Sequence, residues 1–367
     1  MLRIGLILTP LIALILFRYP AESIESMPRL ELLESSSVEY PGPAVKDLHL
    51  QLLHKEEGVR KIYQSGREFS IPESLKEWSL SVPYEGQGYF AYQTIGSEIE
   101  HRSSSGELFW RRDSSSYPIS NPSGTLILLI TGDSNRVDVM DRNGILVKGA
   151  SLSGSLLVDY AFSNPEPDQE GPAAAAIVLF SDGRYYLIDA AGKKLASDSI
   201  SDDPVFARSV GLSIDGRSFA IHYEQDRKDY LAAYEWKDGA VNLLYRFKLE
   251  KNYPYTLPLD CEDGRILFAP PGESLAVDDG DLTLHKKYDP PGDSLYRAQA
   301  FVPSGALMQQ QNQILVLDRE GRYLGHFTMP EASTPGRFLP FEGRKVLFQN
   351  LGGAFRLFRY GSESEAP

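Results

Sequence analysis

A strand–turn–strand phrase built around a glycine recurs along this chain and constrains its fold more than any other feature. It reads "ILVLDREGRYLGHF" at 314–327, "RVDVMDRNGILVKG" at 136–149 and "YYLIDAAGKKLAS" at 185–197, with a looser version, "VRKIYQSGREFSI", at 59–71. The turn glycines are Gly66, Gly106, Gly144, Gly192, Gly239, Gly280 and Gly321, at successive spacings of 40, 38, 48, 47, 41 and 41 residues. A tight hairpin needs φ > 0 in its turn, which glycine supplies without a Cβ clash. Between these hairpins lie pairs of apolar runs joined by a polar or glycine turn, at 79–93, 117–130, 160–180, 207–223, 255–270, 296–310 and 337–349.

Two inner strands and an outer hairpin, repeating every 38 to 48 residues, form the pattern of a β-propeller with four-stranded antiparallel blades. The seven inner pairs and seven glycine hairpins predict an all-β, seven-bladed ring over 59–360. After 337–349 only one more strand remains, "GAFRLFRY" at 353–360. The last blade therefore lacks its outermost strand, and the spare one lies around Arg67 to Ile71. The expectation is that this N-terminal strand completes the C-terminal blade and closes the ring, which removes exposed sheet edges.

The phrase "SIDGRSFAIHY" at 213–223 resembles the inner hairpin of WD40-like and TolB-like propellers. "GRYYLIDAAGKKL" at 183–195 and "NQILVLDREGRYL" at 312–324 resemble the outer hairpins of quinoprotein-like repeats. The resemblance spans 59–360 and implies the propeller architecture, with no single subfamily. The Gly-His and Trp-Asp signature of true WD40 repeats is absent, and of the docking tryptophans of quinoprotein-like repeats only Trp110 and Trp236 stand near suitable places.

The N-terminus reads differently. Arg3 precedes a 14-residue apolar run from Ile4 to Phe17. At 1.5 Å per residue, a helix of that length falls short of a ~30 Å hydrocarbon core. Residues 1–23 therefore read as a signal peptide, cleaved after Ala21-Glu22-Ser23, or as an uncleaved signal anchor. Both place the remainder outside the cytoplasm. Residues 24–58 read as a flexible linker rich in Glu, Ser and Pro at its start. Leu48/Leu52 and His49/Leu53, at i, i+4 spacing before Gly58, predict a short helix over 46–58. Residues 361–367 read as an acidic, disordered tail. The Asn121-Pro122-Ser123 sequon is blocked by its proline, in keeping with a periplasmic protein.

A net charge of −13 argues against a nucleic-acid partner, since phosphate binding needs a basic stripe. The single cysteine, Cys261, allows no intramolecular disulfide, and the six histidines are scattered singly. No nucleophile elbow, phosphate-cradling loop or zinc-ligand spacing is present. The acidic turn "VDDGDL" at 277–282 lacks the alternation of a calcium loop and reads as a solvated hairpin tip. No catalytic, cofactor or metal residue is assigned, and no cofactor is expected.

Two features remain as candidate sites. Tyr160, Arg208, Arg297 and Arg337 sit on inner strands, where they would line the central channel. The 48- and 47-residue steps carry two insertions, 164–172 and 224–229. These offer Asp168, Glu170, Asp226, Arg227 and Lys228 as partner-binding loop residues, because long loops on a rigid scaffold are common recognition sites. The expected function is a monomeric, exported and membrane-tethered interaction scaffold or assembly factor with a protein partner in the cell envelope. The alternative is an enzyme or small-ligand binder that uses the channel.

Overall fold

A computed structural model of the chain describes residues 29–37, 51–56, 59–64, 67–70 and, with short breaks, 72–287, then strands between 299 and 361. The strand β1 (Arg29–Ser37) comes first, and β2 (Gln51–Glu56), β3 (Val59–Gln64) and β4 (Arg67–Ser70) form a three-stranded antiparallel sheet. Six four-stranded sheets follow in chain order. Sheet I holds β5 (Ser79–Ser81), β6 (Tyr89–Tyr92), β7 (Glu98–Arg102) and β8 (Leu108–Asp113). Sheet II holds β9 (Tyr117–Ser120), β10 (Leu126–Ile130), β11 (Arg136–Asp141) and β12 (Leu146–Ser153). Sheet III holds β13 (Leu157–Phe162), β14 (Ala176–Phe180), β15 (Arg184–Ile188) and β16 (Lys194–Ser199). Sheet IV holds β17 (Phe206–Leu212), β18 (Ser218–Gln225), β19 (Lys228–Lys237) and β20 (Ala240–Lys248). Sheet V holds β21 (Leu259–Glu262), β22 (Arg265–Phe268), β23 (Glu273–Asp278) and β24 (Asp281–Lys287). Sheet VI holds β25 (Gln299–Val302), β26 (Gly305–Gln310), β27 (Gln313–Asp318) and β28 (Tyr323–Thr328). Sheet VII is built from β29 (Phe338–Phe341), β30 (Val346–Asn350), β31 (Ala354–Gly361) and, as its fourth strand, β1.

Neighbouring sheets meet at their first strands: β5 against β9, β13 against β17, β17 against β21, β21 against β25 and β25 against β29. The core is therefore a series of apolar layers between sheets. One layer joins Leu128 and Val139 of sheet II to Val178 and Tyr186 of sheet III. The next joins Leu179 and Tyr185 to Phe219 and Trp236 of sheet IV. A third joins Leu231 and Ala233 to Ile266 and Phe268 of sheet V. Second strands lie between two layers and are buried on both faces, so "LILLI" and "AIVLF" are continuous apolar runs. Outermost strands such as β8 and β20 show one face to water and keep a polar alternation.

The recurring glycine is explained by two kinds of turn. At Gly144, Gly192 and Gly106 the preceding Asp or Ser caps a four-residue turn. Asp141 accepts from the N–H of Asn143 and of Ile145, both at 2.9 Å, and Gly144 has φ of 80°. Asp189 does the same for Ala191 and Lys193. At Asp238-Gly239 and Asp279-Gly280 the turn has two residues, both with positive φ, the primed geometry that suits strand twist. Outer strands also cover turn glycines of the next sheet. The Trp110 ring lies over Gly144, with its Nε1 donating to Arg142 O at 2.9 Å. Val147 lies over Gly192 and Tyr245 over Gly280. Val and Tyr thus perform the docking for which only tryptophan was expected.

Three expectations are corrected. The strand that completes sheet VII is β1, in a ladder from Arg29↔Gly361 to Ser37↔Ala354, and not the Arg67–Ile71 segment. Residues 67–70 instead pair with β3 across the Gly66 turn. A local hairpin closes a short loop and costs little chain entropy, so that strand remains with its neighbour. Residues 29–37, expected as flexible linker, are in that ladder. The short helix expected over 46–58 is replaced over 51–56 by β2, which pairs with β3 from Gln51↔Gln64 to Glu56↔Val59. Cross-strand pairing with an adjacent segment overrode a short helical pattern that has too few residues to stand alone.

Candidate interaction site

The insertion at 224–229 is not a loop. The extra residues lengthen β18, β19 and β20 to 8, 10 and 9 residues, and the hairpin turns on Asp226 and Arg227 alone, with Gln225 paired to Lys228. Asp226 has φ of 52° and Arg227 of 61°, although neither is glycine. Each L-residue in this region costs about 1–2 kcal/mol, so the surroundings must hold the turn.

They do so through the segment that leads to sheet V. Asn252 Nδ2 donates to Arg227 O at 2.7 Å, and Asn252 Oδ1 accepts from Asp229 N at 3.2 Å. Asp229 O accepts from Leu249 N at 2.9 Å, and its Oδ2 from Tyr253 N at 2.5 Å. On the other side, Gln225 bonds Ser201 Oγ at 3.2 Å and Arg246 at 2.7 Å. The Arg246 guanidinium lies 3.5 Å from the centre of the Tyr230 ring, which stacks on Tyr223. Asp226, Arg227 and Lys228 stand exposed at the end of this braced turn.

Below the tip is an imidazole–carboxylate pair. His222 Nε2 lies 3.0 Å from Asp229 Oδ2, and both side chains are 0% exposed. Burial pushes the His222 imidazole below its ordinary value; the Asp229 carboxylate opposes this, and Arg208 adds to it. His222 is therefore neutral and rests against Phe268 of sheet V. A pair without solvent access cannot reach a substrate, so its work is to hold the base of the hairpin to sheet V.

A second cluster adjoins it. Glu273, 7% exposed, bonds Lys251 Nζ and lies 3.3 Å from His285 Nε2. Burial pushes the Glu273 carboxyl up, but its bonds to Lys251 and His285 outweigh that and leave it below the usual carboxylate value. Among the described residues, no group of three or more His, Cys, Asp or Glu could hold a metal ion.

The sequence-predicted residues are distributed as follows. Arg208 occupies a bulge in β17, is 6% exposed and forms an ion pair with Glu224. Tyr160, on β13, is half-buried against Phe162 and the layer between sheets II and III. The two are not brought together by any bond. Arg297, Arg337, Asp168 and Glu170 lie outside the described residues. Of the described candidates, Asp226, Arg227 and Lys228 come together, with Arg208 behind them through Glu224. Sequence reasoning missed Asn252, Asp229, His222 and the Lys251–Glu273–His285 cluster. The one available signal was an Asp-Arg pair in a turn of the kind that carries Asp-Gly at 238–239, 263–264 and 279–280.

No family model matches this chain, and no curated protein does. Among solved structures it is similar to the propeller of Dos1, at 12% identity and a TM-score of 0.57, over 90% of this chain and 95% of that one. It also aligns with the β-propeller domain of Cps50 (Swd1) from Myceliophteria thermophila, at 12% identity over 90% and 99% of the two chains, with a TM-score of 0.43 too low to carry weight. Successive four-stranded antiparallel sheets meeting at their first strands, together with the likeness to the Dos1 structure, make this chain a β-propeller.

Proposed function

We propose that the chain is an exported β-propeller, tethered by its N-terminal segment, that serves as a monomeric protein-interaction scaffold in the cell envelope. Sheets I to VII are its seven blades, and β1 closes the ring by completing sheet VII. Closure is supported by the face of sheet I that turns away from sheet II: Tyr89, Ala91 and Glu100 on that face are each 0% exposed, whereas the end sheet of an open arc would be wet there. The 14-residue apolar run at 4–17 supports export and tethering.

The observation that carries the binding reading is the hairpin tip. Asp226, Arg227 and Lys228 are exposed on a backbone that six hydrogen bonds from neighbouring segments hold in place. A surface ordered before contact loses less entropy on binding. The channel reading receives less support, since Arg208 is already paired with Glu224 and nearly enclosed.

The test is to crosslink the tagged full-length protein in its native cells, capture it and identify what accompanies it by mass spectrometry. A near-stoichiometric envelope protein that is lost when Arg227 and Lys228 are both changed to Glu is expected. A clean preparation from wild-type cells contradicts the scaffold reading.

A further inference from the structure

The strand order gives the tethered molecule a direction. Each four-stranded sheet runs up and down in turn, so first-to-second and third-to-fourth turns share one face of the ring. Second-to-third turns and the connections between sheets share the other. Hydrogen bonds agree with this: Ile200, in the connection to sheet IV, donates to Gly183 O in the β14–β15 turn at 3.1 Å, and Leu249 donates to Asp229 O at the end of the β18–β19 turn. The strand β31 is the third of its sheet and ends at Gly361, and Arg29, the first residue of β1, pairs with Gly361. The chain therefore enters the propeller on the first-to-second-turn face. The Asp226–Arg227 tip, a second-to-third turn, is on the opposite face.

Only residues 18–28 separate the apolar run ending at Phe17 from Arg29. Those 11 residues reach at most about 40 Å when fully extended and about 18 Å as a flexible coil. That coil length is shorter than β18 itself, which at 8 residues extends about 26 Å. A body held so closely by one face keeps that face to the bilayer.

On the far face, the tip end of sheet IV differs in charge from the chain as a whole. On a protein of net charge −13, strand register gathers Arg227, Lys228, Arg246, Lys248 and Lys251 at one end of sheet IV, all exposed. Arg227, Lys228 and Lys248 form no ion pair among the described residues. The exposed acids of the tip and its two bracing segments are Asp226, Glu250, Asp202 and Asp203, fewer than these five cations. A local excess of cations on an acidic body steers and selects a partner of opposite charge.

We infer that the tethered propeller turns its first-to-second-turn face to the membrane and offers the basic tip, on the opposite face, to an acidic segment of a soluble protein. This rests on the tethered-scaffold reading above.

The experiment uses full-length protein in phosphatidylethanolamine–phosphatidylglycerol vesicles with a headgroup quencher. Cys261 is buried, so a maleimide dye goes to one introduced thiol: Ala191→Cys in the β15–β16 turn, or Asp203→Cys in the connection to sheet IV. Both positions are exposed, on opposite faces. Co-flotation with quenching several-fold stronger at 191 than at 203 is expected. Co-flotation with equal quenching, or stronger quenching at 203, overturns the orientation while the tether stands. Failure to float overturns the tether and the inference together. In the same vesicles a labelled oligoglutamate peptide should bind, with affinity reduced about tenfold by Arg227→Glu with Lys228→Glu. Arg142→Glu with Lys193→Glu, on the other face, should leave it unchanged. Equal loss in both pairs, or no binding to wild type, overturns the acidic-partner assignment.

Discussion

The hairpins at Asp238-Gly239 and Asp226-Arg227 belong to the same sheet and have the same two-residue geometry, yet they are stabilised differently. In the first, glycine takes φ of 80° without steric cost, and a Cβ at that glycine would meet nothing within 4 Å. Local chemistry is sufficient there. In the second, arginine takes φ of 61°, and the turn depends on Asn252 and Asp229. One turn is written in two residues, and the other in a network that spans residues 201 to 253. Positions that break the local rule and persist are over-determined by their surroundings, and such positions gather where a surface is used.

The comparison is most severely broken by Asp229→Ala. It leaves His222 Nε2 and Tyr253 N buried without their acceptor, and a loss of about 3 kcal/mol is expected in denaturant unfolding. Gly144→Ala tests the local kind of turn. The added Cβ would lie 2.8 Å from the Trp110 ring at φ of 80°, and about 2 kcal/mol should be lost. A matching Gly239→Ala, with open space around it, should lose only the conformational part, about 1 kcal/mol. Asn252→Ala should cost about 1–2 kcal/mol through the two bonds it makes. Arg227→Gly should stabilise by a few tenths to 1 kcal/mol. Combined, Asn252→Ala should cost less in the Arg227→Gly background than in wild type, and additive effects would show that Asn252 does not brace the turn.

The smallest effect is a pH slope. His222 is neutral when folded, its pKa lowered from 6.5 by burial. The unfolded chain binds a proton there that the folded chain refuses. Stability should therefore fall as pH drops below about 6.5, at up to about 1.4 kcal/mol per pH unit. A His222→Asn variant should lose this component of the slope between pH 7 and 5. Glu273, with its pKa lowered from 4.5, adds a separate loss that begins below about that value, so the two windows can be told apart.

How much of this was legible in the sequence follows the same division. The hairpins at Gly106, Gly144, Gly192, Gly239 and Gly280 join third and fourth strands where the spacing put them, because a positive φ is a local demand that glycine advertises. The partner of β31 is not legible in the sequence, because pairing between chain ends is non-local and the stretch between 29 and 71 contains several strand-like runs. The His222–Asp229 pair looked like two isolated residues, since their meeting depends on β18–β19 register. The Asp226–Lys228 segment was singled out for its length, but its extra residues lengthened strands and did not form a loop.

Hydrogen exchange in the uncomplexed full-length protein tests the central claim most directly, that the tip is a surface built before any partner arrives. The amides of Asp229 and Tyr253, which bond Asn252 and the buried Asp229 carboxylate, should be protected as strongly as the β18–β19 ladder beneath them. Exchange at these two amides at the rate of an unstructured peptide, with the ladder still protected, would show that the tip is not held and would contradict the account.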